Sequence, residues 1–260
     1  MSKNDAGDEK GLDYQKIVNK LIIRGKTLLS EHVEFEPLTD IKEAEYLLHD
    51  FDIYPHAFVL SCIMDRQMTA EKAWAIPYHF MKRFGSFKFE DIKKISLEEV
   101  EKIFSHPTPL HRYPKQMALA FHQAIQDIQN KYSGDASRIW SDNPSSLTLV
   151  QRFREFHGAG PKIANMAANI LVRRFKIMIK DKSAIDISAD SHVQRVFPRL
   201  GLISEGSSID EIITKARHLY PPYPGVFDYS IWEIGRKWCK PTDPDCNACY
   251  LLKDCPSSTN

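Results

Sequence analysis

The chain has no uninterrupted apolar run near the ~20 residues that a membrane-spanning helix requires, and Met1 to Gly11 contains no apolar centre of the kind that marks a secretion signal. Neither a bilayer span nor export is expected; the expected location is cytosolic, or nuclear in a cell that has a nucleus. Glycine is scarce, at 11 of 260 residues, which excludes a collagen-like architecture, and no internal repeat of solenoid period is present. Neither sign of charge is in excess. The 35 basic and 34 acidic side chains give a net charge of +1, so bulk charge does not announce a polyanionic partner. What remains is the composition of an ordinary globular protein, 43% apolar and 27% charged, in a chain long enough for one large domain or two small ones.

Apolar residues recur at helical spacing through most of the chain. The first eleven residues are polar without such a period and read as a disordered tail. Tyr14, Ile17, Val18, Leu21 and Ile22 begin an amphipathic helix, and the segments 40–48, 55–64, 70–84, 96–104 and 114–132 follow with turn residues between them. Ser96 and Glu99 form a capping-box pattern. After Asn143-Pro144, the helix from Ser146 to Phe156 meets His157-Gly158-Ala159-Gly160, and Pro161 opens another helix running to about Phe175. Two helices joined by a tight glycine turn make a helix-hairpin-helix. The alternation in Lys176-Ile177-Met178-Ile179-Lys180 suggests a short strand hairpin over Phe175–Ile187. Helices resume at 191–200, 208–220 and 226–238.

Four of the five cysteines, Cys239, Cys246, Cys249 and Cys255, fall in the pattern C-x6-C-x2-C-x5-C. Cys62 lies in an apolar helical run and reads as a buried thiol. Four clustered thiols without a secretion signal argue for a metal centre over disulfides. Structural zinc usually takes two separated short-spaced pairs; one C-x2-C between two lone cysteines suits the four corners of a 4Fe-4S cluster, with zinc as the alternative.

The glycines of Gly158-Ala159-Gly160 let backbone amides approach a phosphate, and the helix that follows adds the positive end of its dipole. A plain turn between two core helices is the competing reading. Around this turn, Gln151 to Leu200 holds ten basic against four acidic side chains, a candidate phosphate-facing surface.

Three elements in this order, the run FHGAGPKIA, the segment Asp190-Ser191-His192-Val193-Gln194-Arg195-Val196 and the terminal cysteine pattern, resemble the endonuclease III branch of the helix-hairpin-helix DNA glycosylases. The resemblance covers roughly Leu12 to Cys255. It implies an all-α, two-lobed fold with a C-terminal 4Fe-4S cluster loop, to which the strand hairpin would be a small insertion. One lobe would comprise residues 39–174. The other would be discontinuous, from 12–38 and 175–260, with DNA between them. The partner implied is double-stranded DNA containing a damaged or mismatched base, bound by a monomer.

In that family the lysine two positions after the last hairpin glycine is the amine nucleophile, and Lys162 stands there. Once it sheds its proton, an amine can attack the sugar C1′, expel the base and form a Schiff base that permits strand cleavage. A phosphate-binding surface lysine is the alternative. The catalytic carboxylate corresponds to Asp190, which can equally be a helix N-cap, with Asp186 as the fallback. Arg195 and Lys115 are expected to meet phosphate, Gln67 to fill the space left by an extruded nucleotide, and Leu110 or Arg112 to act as a second wedge. The sequence departs from the family in two ways. Lys162 and Asp190 are 28 positions apart, longer than usual, and His157 and Pro161 replace the usual proline and arginine around the glycines. Lys176, Lys180 and Lys182 of the insertion could reach DNA. The expected activity is a bifunctional glycosylase and abasic-site lyase acting on an oxidised pyrimidine. The alternatives are a glycosylase without lyase chemistry, for uracil or a mismatched thymine or adenine, and a non-catalytic sensor of damaged DNA.

Overall fold

The computed structural model describes residues 5–30 and 37–258, with side chains from residue 14 onward. Among the described residues every regular element is helical and none is long and apolar enough to cross a membrane. Two compact units emerge. One takes in the described residues of Met1–Val33, Ala168–Lys176 and Lys180–Asn260; the other takes in those of Glu34–Ala167 and Ile177–Ile179.

Helix α1 spans Asp5–Ser30 and belongs to the first unit. The polar stretch expected as a tail is therefore helical from Asp5, while Met1–Asn4 lie outside the described residues. Extending an existing helix adds a hydrogen bond per residue without a new nucleus, so weakly apolar residues can prolong an amphipathic segment.

The second unit is built from α2 (Lys42–His49), α3 (Pro55–Met64), α4 (Ala70–Trp74), α5 (Ile76–Phe84), α6 (Phe89–Ile92), α7 (Leu97–Ser105), α8 (Pro114–Tyr132) and α9 (Ser146–Arg154). Its axis is α3, PHAFVLSCIM, in which every residue is buried. A helix without a polar stripe must be surrounded, and α3 packs against α2, α4, α5 and α8. The Phe58 ring alone lies 5.7 Å from Trp74, 6.0 Å from Trp140 and 6.4 Å from Phe153. The segment 70–84 breaks into α4 and α5 because Pro77 has no amide to offer and its ring crowds the preceding turn. The capping box forms as the pattern implied: Ser96 accepts from the Glu99 amide and Glu99 accepts from the Ser96 amide.

Helix α10 (Pro161–Arg173) starts in the second unit and ends in the first, where α11 (Ser191–Arg199), α12 (Ile209–Leu219) and α13 (Phe227–Lys237) complete the set. Helix α13 packs against both α1 and α11. The close approach of α11 requires Gly235, since a Cβ there would fall 2.6 Å from the His192 ring nitrogen. Arg24 of α1 forks onto the buried Glu233 at 2.9 and 3.1 Å.

The strand hairpin expected over Phe175–Ile187 is absent: the segment contains no strand. Its alternating pattern is real, but its backbone groups are satisfied elsewhere. Lys176 takes a left-handed conformation (φ 55°), which ends any extended run. Asp181 turns the chain onto the Ser183 amide, the Ile185 carbonyl accepts from Gly225, and the Asp186 carbonyl accepts from the Asn169 side chain. Lys176 also donates to the carbonyls of Leu28 and Leu29, closing the end of α1.

His56 is buried among aromatic rings in α3 and donates through Nε2 to the Phe87 carbonyl at 2.8 Å. Burial pushes its pKa from 6.5 down to about 4. The unfolded chain therefore takes up this proton first on acidification. Stability is complete above pH 6.5 and falls as the pH drops towards 4, by at most about 3 kcal/mol from this group. Urea unfolding over that range should show the loss, and His56→Gln, which can still donate to Phe87, should flatten it; an unchanged slope would contradict the assignment.

Candidate active site

The helical hairpin forms in the second unit. Ser145 caps α9 by accepting from the Thr148 amide at 3.1 Å, and α9 ends at Arg154. Phe156 and Ala159 point inward, whereas His157, Gly158 and Gly160 are exposed. The amides of Ala159 and Gly160 are already used inside the turn, by the carbonyls of Phe156 and Gly158. Two of the amides that the turn could offer a phosphate are thus taken up by the turn itself. The first intrahelical bond of α10 runs from Ala164 to the Gly160 carbonyl, so the unused donors are those of its first turn, beginning with Lys162.

The two glycines differ in why they are glycines. Gly158 is left-handed (φ 82°), and a Cβ there would lie 2.5 Å from the Arg66 guanidinium. Both its conformation and its packing demand glycine. Gly160 has no such demand: its φ is not left-handed, and a Cβ would meet nothing within 4 Å. The protein's own sterics do not explain it.

Lys162 is exposed at the second position of α10. Its ammonium is felt at the buried Cys62 of α3: burial pushes this thiol up, the Asp65 carboxylate adds to the rise, and Lys162 opposes it. Asp65, buried at the end of α3, is a second charged group that acts on Cys62, and sequence reasoning passed it over. Gln67 is exposed in the loop that follows and takes a left-handed φ of 53°, uncommon for a residue with a Cβ. Lys115 is exposed in the first turn of α8, and Arg112 lies over the Tyr113 ring at 5.6 Å.

In the first unit, Asp190 is the N-cap of α11 and accepts from the Val193 amide at 2.9 Å. Gln194, in the same first turn, donates to the Ala189 carbonyl at 3.2 Å. Asp190 is half-buried, and the segment before it is held by Asp228, which accepts from the Ser188 amide at 2.8 Å. Burial pushes the Asp228 carboxyl up, opposed chiefly by Arg173. Asp186 is committed elsewhere: both its oxygens bind Arg217 at 2.7 Å.

Arg195 is not free to meet phosphate as expected. Its guanidinium donates to the carbonyls of Cys239 (2.9 Å), Gly235 (3.0 Å) and Ser191 (3.4 Å) and to the His192 ring (3.0 Å). One turn later, Arg199 donates to the Cys239 sulfur at 3.4 Å and to the carbonyls of Lys240 and Pro241. Helix α11 therefore holds the cysteine loop in place. Cys239, Cys246, Cys249 and Cys255 are half-buried free thiols. They share one neighbourhood: burial raises the Cys249 pKa, and the other three thiols add to the rise. Among the described residues no three metal-binding side chains converge on one ion position.

A family model described as "HhH-GPD superfamily base excision DNA repair protein" matches residues 60–222. Among curated proteins, endonuclease III of Thermotoga maritima is 27% identical over 172 residues, 61% of this chain and 75% of the relative. A trapped endonuclease III–DNA covalent intermediate has the same fold, with a TM-score of 0.60 at 20% identity over 94% of this chain and 96% of that one. So does a thermostable thymine-DNA glycosylase, with a TM-score of 0.60 at 18% identity over 98% and 99%.

The Arg195 clamp yields a measurable expectation. Arg195→Ala should lower thermal stability by about 2 kcal/mol, the worth of its net hydrogen bonds, and Arg195→Lys should not restore it, because an ammonium cannot span Cys239, Gly235 and His192 together. Wild-type melting in both variants would show the clamp to be dispensable.

Proposed function

Because the chain belongs to the HhH-GPD superfamily of base excision DNA repair proteins, we propose that it is a DNA glycosylase with abasic-site lyase activity, acting on double-stranded DNA that carries an oxidised pyrimidine. The observation that carries the reading is Lys162 itself, an exposed amine in the first turn of a helix entered through a glycine hairpin. Branches of the superfamily that lack the lyase step replace this residue with one that cannot attack.

In this reading the Lys162 nitrogen, once deprotonated, donates its lone pair to the sugar C1′. The new N–C1′ bond forms as the bond to the base breaks, and the base leaves with the electron pair and gains a proton. Opening of the sugar ring gives a Schiff base, and loss of a proton from C2′ expels the 3′ phosphate by β-elimination. Asp190 stabilises the positive charge that develops at the sugar. Its capping bond to the Val193 amide fixes the carboxylate at the start of α11. DNA phosphate is held at the hairpin, where the first-turn donors and the dipole of α10 favour an anion and the bare Cα of Gly160 leaves room for it. Gln67 fills the gap left by the extruded nucleotide.

The four thiols fit a 4Fe-4S cluster, since they lie together in one half-buried loop and supply one thiolate for each of four irons. Cys239, Cys246, Cys249 and Cys255 would hold it, and when bound it would give the C-terminal loop a core the loop cannot build from apolar residues. The reading places the protein as a monomer in the cytosol, at the nucleoid, or in the nucleus where there is one.

The test uses the purified protein against duplexes with single defined lesions, scoring base release and nicking separately. Borohydride should trap a covalent adduct in the wild type and not in Lys162→Ala, while Asp190→Asn should lower the excision rate by about 10²–10⁴-fold. Base release without nicking or trapping would favour a monofunctional enzyme, and specific binding without any product would favour a damage sensor. Gly160→Ala should keep wild-type stability yet weaken duplex binding; unchanged binding would remove the hairpin from the DNA contact. A brown protein with visible absorbance is expected, and a colourless one containing zinc would refute the cluster.

A further inference from the structure

Three loops of the second unit, all named above for separate reasons, are tied to one another through a single residue that the sequence reading did not single out. Arg66 stands immediately before Gln67. Its Nη1 donates to the Gly158 carbonyl of the helical hairpin at 3.1 Å, and its Nη2 donates to the Met117 sulfur of α8 at 3.2 Å. The guanidinium lies against the bare Cα of Gly158, in the space a Cβ would take. Its main-chain carbonyl accepts from His111 Nε2 at 2.9 Å, and the other nitrogen of that ring accepts from the Tyr113 amide at 3.1 Å.

Because the Tyr113 amide donates to Nδ1, the His111 proton must reside on Nε2, so the neutral ring makes both bonds at once. Arg66 and His111 thus link the Gln67 loop, the Leu110–Tyr113 loop and the Gly158 turn. No carboxylate pairs with Arg66 among the described residues, burial lowers its pKa, and its Nε is buried without a partner. Half-burying a guanidinium in this way is costly, and folding stability alone would be better served by an apolar side chain. The cost falls where an exposed residue is held in a left-handed backbone conformation.

We propose that Arg66 and His111 are positioning residues that brace Gln67 for insertion into the duplex, so that nucleotide extrusion depends on the Arg66–Gly158 and His111–Arg66 contacts. The proposal rests on the glycosylase reading given above. In it Arg66 touches no reacting atom. It fixes the residue before Gln67 against the turn that holds the phosphate, so that the wedge and the phosphate grip keep a set separation.

The experiment is extrusion measured apart from chemistry. A duplex carrying a tetrahydrofuran abasic analogue with 2-aminopurine beside it gains fluorescence when the bases unstack, and excision is followed on a lesion duplex under single-turnover conditions. Arg66→Leu should bind the duplex within about threefold of wild type, lose most of the fluorescence gain and lower the excision rate by about tenfold or more, whereas trapping at a preformed abasic site should fall less. His111→Gln, which keeps a donor and an acceptor, should behave as wild type, and His111→Phe should behave as Arg66→Leu. Circular dichroism establishes folding. If Arg66→Leu does not fold, the contrast between His111→Gln and His111→Phe decides. Wild-type fluorescence and excision rate in a folded Arg66→Leu, or in His111→Phe, would overturn the proposal. A wild-type protein that neither unstacks, excises nor traps any duplex would instead overturn the glycosylase reading.

Discussion

A helix buried on every side can meet a partner only through the chain at its ends, and much of the second unit follows from that constraint on α3. Its ten residues have no exposed face. The chain that leaves it carries, in immediate succession, a buried carboxylate, a half-buried guanidinium and an exposed glutamine. Asp65 acts on the buried Cys62 thiol, Arg66 reaches the hairpin, and Gln67 is exposed. The rigidity that a small polar loop cannot supply for itself is borrowed from the densest part of the core.

The excess of positive charge between Gln151 and Leu200 has a different meaning in three dimensions from the one it has along the chain. Arg152 is bound to Asp142, Arg173 faces Asp228, Lys176 closes α1, and Arg195 and Arg199 hold the cysteine loop. At least half of the ten cations are thus absorbed as internal ties. Arg154, Lys162 and Lys180 are the exposed ones among the others.

The features that could be read in advance are those whose cause is local. The Ser96 and Glu99 cap, the turn at Gly158 and the N-cap role of Asp190 each depend on residues within a few positions of one another, and each formed. The features that escaped depend on partners far along the chain. Alternation in 176–180 cannot reveal that no strand lies beside it among the described residues, or that Lys176 will turn back to α1. Arg195 looks the same in sequence whether its donors face water or the Cys239 carbonyl. Arg66 had no signal at all except, in retrospect, a glycine 92 residues away whose missing side chain makes room for it.

The extra length between Lys162 and Asp190 now acquires a purpose within the first unit. Its residues work as a strap: one end is stapled to the last carbonyls of α1 by Lys176, and the other is buckled to α12 by Asp186 and Arg217. Trimming this strap to a more economical span would leave α1 fraying at its far end and Arg217 without a counterion, even though no residue given a chemical role had been removed.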